Sequence, residues 1–95
     1  MQIELAPTAQ RDIRRFGWDK AFFLEWELRD LRDDPSLVSR LQPLLPSSPG
    51  PAHFRIDLTE PFVARAQITD EGLLIERVVT THELDETAVE FFSEE

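Results

Sequence analysis

From residue 53 onward the chain reads with a period of two. In "HFRIDLT" (53–59), Phe54, Ile56 and Leu58 fall on one side, and His53, Arg55, Asp57 and Thr59 on the other. In "FVARAQI" (62–68), Phe62, Ala64, Ala66 and Ile68 alternate with Val63, Arg65 and Gln67. "LLIERVVTT" (73–81) is β-branched and mostly apolar, as expected of a strand inside a sheet. Glu60-Pro61 and Asp70-Glu71-Gly72 are the tight turns between these runs. Three strands on short turns make an antiparallel meander.

The first half reads differently. "IELAP" (3–7) alternates and stops at a proline, which suits a short edge strand. Thr8 is placed to cap a helix through "AQRDIRRF" that ends at Gly17. Asp19 is placed to cap a second helix over "KAFFLEWELRDLRDD". Two apolar stripes fit its period, Phe23/Trp26/Leu31 and Leu24/Leu28/Leu31, and we expect Trp18, Phe22, Phe23 and Trp26 in the core. One long helix from 9 to 33, weakened at Gly17, is the alternative. Asp34-Pro35 opens a short helical piece in which Leu37 and Leu41 face inward, and "PSSPGP" (46–51) is a loop. Leu84, Ala88, Phe91 and Phe92 recur at helical spacing, so a short C-terminal helix is expected. The fold class is therefore α+β, with a helical layer on one face of an antiparallel sheet.

At 95 residues the chain is expected to form one domain, residues 1–95. It has no cysteine, so disulfides and thiolate metal sites are excluded, and a reducing cytoplasm fits. No run reaches the roughly 20 apolar residues of a membrane span, and Met1-Gln2-Ile3-Glu4 lacks the plan of a secretory signal. The two histidines, His53 and His82, stand at no metal-binding spacing, and we expect no metal or cofactor.

The net charge is −9, which opposes binding to a polyanion. It is unevenly spread. Residues 83–95 hold six of the nineteen acids and none of the ten bases, so thirteen acids face ten bases in the rest. A solvated acidic face that keeps the protein soluble accounts for this segment.

The order of elements and two stretches of sequence resemble the RelE/ParE superfamily of bacterial toxins. "IELAPTAQRDIRRF" is similar to that family's opening strand and helix. "FRIDLTEPFVARAQITDEGLLIERVVTTHEL" is similar to the sheet of its YafQ-type branch. The matching pieces are Phe54-Arg55, Glu60-Pro61, Asp70-Glu71, Leu73-Leu74, Glu76-Arg77 and Thr81-His82, in about two-thirds of the chain.

The resemblance implies a toxin of a toxin–antitoxin module with an antitoxin partner. The target is implied to be mRNA on the ribosome or, in the ParE branch, DNA gyrase. Cleaving members work with His, Arg and Lys on the concave face of the sheet. A base takes the 2′-OH proton, a cation stabilises the transition state, and an acid protonates the leaving oxygen. Carried over residue by residue, the catalytic candidates are His82, Arg55 and Arg77, and the RNA-binding candidates are Arg65, Arg11 and Arg15. Several departures stand out. The His before the Glu-Pro turn and the Asp after it are replaced by Leu58 or Thr59 and by Phe62, a further upstream His is missing unless His53 replaces it from another position, no aromatic follows His82, and the usual basic surface is missing. A non-catalytic member that acts by binding protein is therefore the second reading, and a homo-oligomer is open to either.

Without the resemblance, each candidate has a plain structural reading. His82 marks a strand end. His53 is a solvent-exposed histidine at the end of a loop. Arg55 and Arg65 pair across the strands with Asp57 or Glu76. Arg11, Arg14 and Arg15 form a solvated helix face. A further expectation is that the acidic helix over 83–95 lies beside Arg55, Arg65 and His82 and competes with RNA for them.

Overall fold

The computed structural model describes residues 2–44 and 52–83. The chain runs β1 (Gln2–Leu5), α1 (Pro7–Arg15), α2 (Trp18–Asp30), a 3-10 turn (Leu31–Asp33), α3 (Leu37–Arg40), β2 (Gln42–Pro43), β3 (His53–Asp57), β4 (Phe62–Thr69) and β5 (Gly72–Thr80). The sheet order is β1-β5-β4-β3-β2. The expected meander is β3-β4-β5, antiparallel throughout. β1 joins it as an edge strand, parallel to β5, so the sheet is mixed. A parallel neighbour needs a long crossover. The chain leaves β1 through the helical layer, enters the sheet at the opposite edge as β2 and returns through β3 and β4 to β5.

The two helices are separate. Gly17 takes φ +100°, a conformation that suits glycine, and it caps α2. Neither expected side-chain cap forms. α1 starts at Pro7 with Ala6 before it, and Thr8 Oγ1 instead donates to Glu76 O at 2.6 Å. α2 starts at Trp18, which puts Asp19 inside its first turn. Proline at a helix start already lacks the N–H that a cap would satisfy.

α1 and α2 cover one face of the sheet. Ala9 and Ile13 of α1, Leu24 and Leu28 of α2, and Leu31 meet Ile56, Ala64, Ala66, Leu73, Ile75 and Val78. Each fully buried leucine or isoleucine contributes about 1.5–3 kcal/mol. The stripe that packs is Leu24/Leu28/Leu31. Trp18, Phe22, Phe23 and Trp26, expected in the core, are exposed instead. α2 has apolar residues on both sides, and the side carrying Leu24 and Leu28 joins the core with Ala64, Ala66 and the other inward residues of the sheet.

β5 carries a bulge. Arg65 pairs with Arg77 and Ala66 with Ile75, which leaves Glu76 as an extra residue. The bulge reverses the alternation along β5. Leu73 and Ile75 face the helices before it, and Val78 faces them after it. The other face of the sheet has its own small apolar cluster of Val63 and Val79, with Leu44 against it. The C-terminal helix and most of the acidic segment were expected over residues 84–95, which lie outside the described residues.

Candidate functional site

β3, β4 and β5 set three arginines in one cross-strand row, Arg55 opposite Arg65 and Arg65 opposite Arg77. Each arginine has a carboxylate of this chain. Arg55 Nε meets Asp57 Oδ1 at 2.9 Å, two residues along the same strand. Arg65 Nε approaches Glu76 Oε1 at 3.3 Å, as an ion pair without hydrogen-bond alignment. Arg77 Nε donates to Asp12 Oδ2 at 2.7 Å and Nη2 to Oδ1 at 3.3 Å, which ties β5 to α1. The cross-strand pairing with Asp57 or Glu76 expected of these arginines forms only between Arg65 and Glu76, since Arg55 meets Asp57 along its own strand.

On the face turned away from the helices, His53 joins Arg65 and Glu76. Its Nδ1 lies 3.1 Å from Arg65 Nη2 and its Nε2 lies 3.5 Å from Glu76 Oε1. A guanidinium only donates, so Nδ1 accepts, while Nε2 lies beside the Glu76 carboxylate without a hydrogen bond to its Oε1. His53 is not the solvent-exposed histidine expected from sequence. Like Arg65, it is only 9% exposed. The bulge explains Glu76. As the residue inserted at that point of β5, it carries its carboxylate to the level of Arg65. No periodicity in "LLIERVVTT" signals a bulge, so Glu76 and His53 were not legible as partners of one cluster.

His82 sits elsewhere. It is exposed, in the helical turn that follows β5. Thr80 N donates to Glu83 Oε1 at 3.0 Å, and Glu83 N donates to Thr80 Oγ1 at 3.1 Å. This reciprocal pattern is a capping box, so "TTHE" is a helix start and His82 falls inside its first turn. Thr80 pairs with Phe62 at one end of β4, while His53 pairs with Gln67 five residues further on. That offset is about 16 Å along the strand. His82 therefore stands off from the His53/Arg65/Glu76 cluster.

Arg15 belongs to the same end as His82. Its Nη1 meets Glu83 Oε2 at 2.6 Å, and its guanidinium lies 4.6 Å from the centre of the Phe16 ring. Phe16 in turn packs edge-on against Phe62. Burial opposes ionisation of Glu83, but Arg15 and the Thr80 N–H outweigh it and hold the carboxyl below its usual value. Arg11 is exposed on α1. Arg11 and Arg15 thus lie on the helical layer, and Arg65 lies on the opposite face of the sheet. No group of three or more His, Asp or Glu side chains poised for a metal occurs among the described residues. No helix among them is long and apolar enough to cross a membrane.

No protein-family model and no curated protein matches the sequence. Solved structures do match. The RelB–RelE antitoxin–toxin complex from Methanococcus jannaschii superposes with a TM-score of 0.58 at 12% identity, over 87% of this chain and 95% of that one. This is the RelE toxin fold. A mutant of the E. coli toxin RelE, in complex with a peptide of the antitoxin RelBc, superposes with a TM-score of 0.55 at 18% identity, over 92% of each chain. The RelE-like fold agrees with the resemblance to the RelE/ParE superfamily, not with its YafQ-type branch in particular. At these identities the agreement extends to the fold.

Proposed function

We propose that this RelE-like chain is a toxin-like protein of a toxin–antitoxin module that acts by binding protein rather than by cutting RNA. One observation carries the reading: the arginines of the cross-strand row face carboxylates of their own chain, Arg55 with Asp57, Arg65 with Glu76 and Arg77 with Asp12. A phosphoryl group at such a face meets charge that is already neutralised, and the net charge of −9 adds a long-range barrier. The structural neighbours are held by antitoxins, which supports an antitoxin as the first partner here. Gyrase is the second protein target to examine.

The endonuclease reading is favoured by a different observation. His53, Arg65 and Glu76 put an imidazole, a cation and a carboxylate on one sheet face, which are the side-chain types that 2′-OH chemistry requires. Their burial works against it, because a ribose must reach the imidazole.

The test is induced expression in bacteria, with growth and ribosome-bound mRNA ends followed together. The binding reading expects growth arrest by the wild type and equally by His82→Ala and His53→Ala, with no new mRNA ends. New ends that disappear with either variant overturn it in favour of the endonuclease. Absence of arrest, with the protein present at full level, removes the toxin part of the proposal.

A further inference from the structure

The outer side of α2 carries a continuous aromatic ridge. Trp18 is 86% exposed, Phe22 75% and Trp26 61%, with Phe23 at 41% beside them. The first three stand four residues apart, so they form one row along the helix, about 12 Å from end to end. Isolated exposed apolar side chains are ordinary, but three large rings in a row on one helix face mark an interaction surface.

We propose that two copies of this chain associate through α2, the ridge Trp18–Phe22–Trp26 of one packing against the same ridge of the other about a two-fold axis near Phe22. Three observations point to a second copy as the occupant. The first is the pattern. Trp-x3-Phe-x3-Trp reads the same in both directions, and an isologous contact needs a patch that is complementary to itself under reversal. The second is packing geometry. A row at i, i+4, i+8 is the ridge that interdigitates with an identical ridge in the commonest class of helix crossing.

The third is size. A Phe or Trp side chain presents about 150–250 Å². At the exposures above, the four rings leave about 400–650 Å² open per copy, or about 800–1,300 Å² for two. That range spans the roughly 1,000 Å² a specific interface requires.

Charge opposes the pairing and so provides a signature. Two chains of net charge −9 repel each other, and salt screens that repulsion while leaving ring contacts intact. The dimer therefore tightens as salt rises. A basic helical segment from some other protein would bind the same ridge more weakly in salt. This inference stands independently of the proposed function.

The experiment is sedimentation equilibrium on the full chain from about 1 μM to about 500 μM. The wild type is compared with Phe22→Glu, Trp26→Glu and Val38→Glu, the last at an exposed position away from α2. Circular dichroism confirms that each variant is folded. The expected mass rises from 11.0 kDa toward twice that value. Phe22→Glu and Trp26→Glu weaken the dimer by about 30-fold or more, and Val38→Glu leaves it unchanged. Both tryptophans of the chain lie on the ridge, so emission shifts to the blue as the dimer forms. A monomer at every concentration overturns the proposal. So does a dimer that Phe22→Glu leaves intact, or association that continues past two copies.

Discussion

Asp12 on α1 and Arg77 on β5 are 65 residues apart in sequence and share one bidentate contact, Nε to Oδ2 at 2.7 Å and Nη2 to Oδ1 at 3.3 Å. The same Oδ2 accepts the Val78 N–H at 3.0 Å. Asp12 is buried, so this one carboxylate satisfies the bulged part of β5 and fixes α1 over it. Arg77, a catalytic candidate by resemblance, is thereby a link between the two layers. Asp12→Ala should cost about 2–3 kcal/mol, because three donors lose a charged acceptor. Urea unfolding gives the value. A loss below about 0.5 kcal/mol, the range of an ordinary surface substitution, would show that the contact is not structural.

Gly72 lies opposite Gln2 where β1 pairs with β5, at φ +151°. A Cβ at this position would run into the Gln2 backbone. Gly72→Ala should therefore push β1 off the sheet and cost about 3 kcal/mol or more, well above the usual price of a point substitution. Hydrogen exchange offers a direct check. The amides of residues 3–5 should lose protection, while those in the β3–β4 pairing keep theirs.

Glu83 is held below its usual carboxyl range, so its contribution is present above the unfolded value near 4.5 and fades as pH falls through the folded one. Glu83→Gln should be less stable than the wild type above about pH 5, and the gap should narrow as pH falls below 4.5. Asp34 behaves the same way lower down. Hydrogen bonds from the Ser36 hydroxyl, Arg40 and the Ser36 N–H bring it to about 2 from 3.8. Its stabilisation is complete above pH 3.8 and is lost on the way down to about 2. Unfolding curves for wild type, Glu83→Gln and Asp34→Asn between these limits separate the two. A gap for Glu83→Gln that is constant from pH 7 to pH 3 would contradict the assignment.

Glu76 faces two buried groups, Arg65 and His53. Removing its carboxylate should cost roughly 3 kcal/mol in Glu76→Ala, since a buried guanidinium loses its opposite charge. The double variant Arg65→Met/Glu76→Leu should recover most of that, because apolar replacements of a buried ion pair are tolerated. If the double variant is as unstable as the sum of its parts, the two side chains do not act as a pair.

Much of this fold is written locally. The alternation in "HFRIDLT" and "FVARAQI" fixes β3 and β4, because a strand half-buried on one face needs a period of two. Gly17 separates α1 from α2, and Glu60-Pro61 and Asp70-Glu71-Gly72 make the turns.

What the chain alone left undecided depends on contacts between distant segments. The side of α2 that packs is one such case. Leu24/Leu28 and Trp18/Phe22/Trp26 have the same period, and it is the packing of the helical layer on the sheet that buries the first and leaves the second exposed. The bulge at Glu76 is another. It arises from the match of β4 to β5, and it decides that Glu76 meets Arg65 and His53 while Arg77 meets Asp12. Periodicity describes each element in isolation. Register, rotation and the partner of each charge are set when the elements meet.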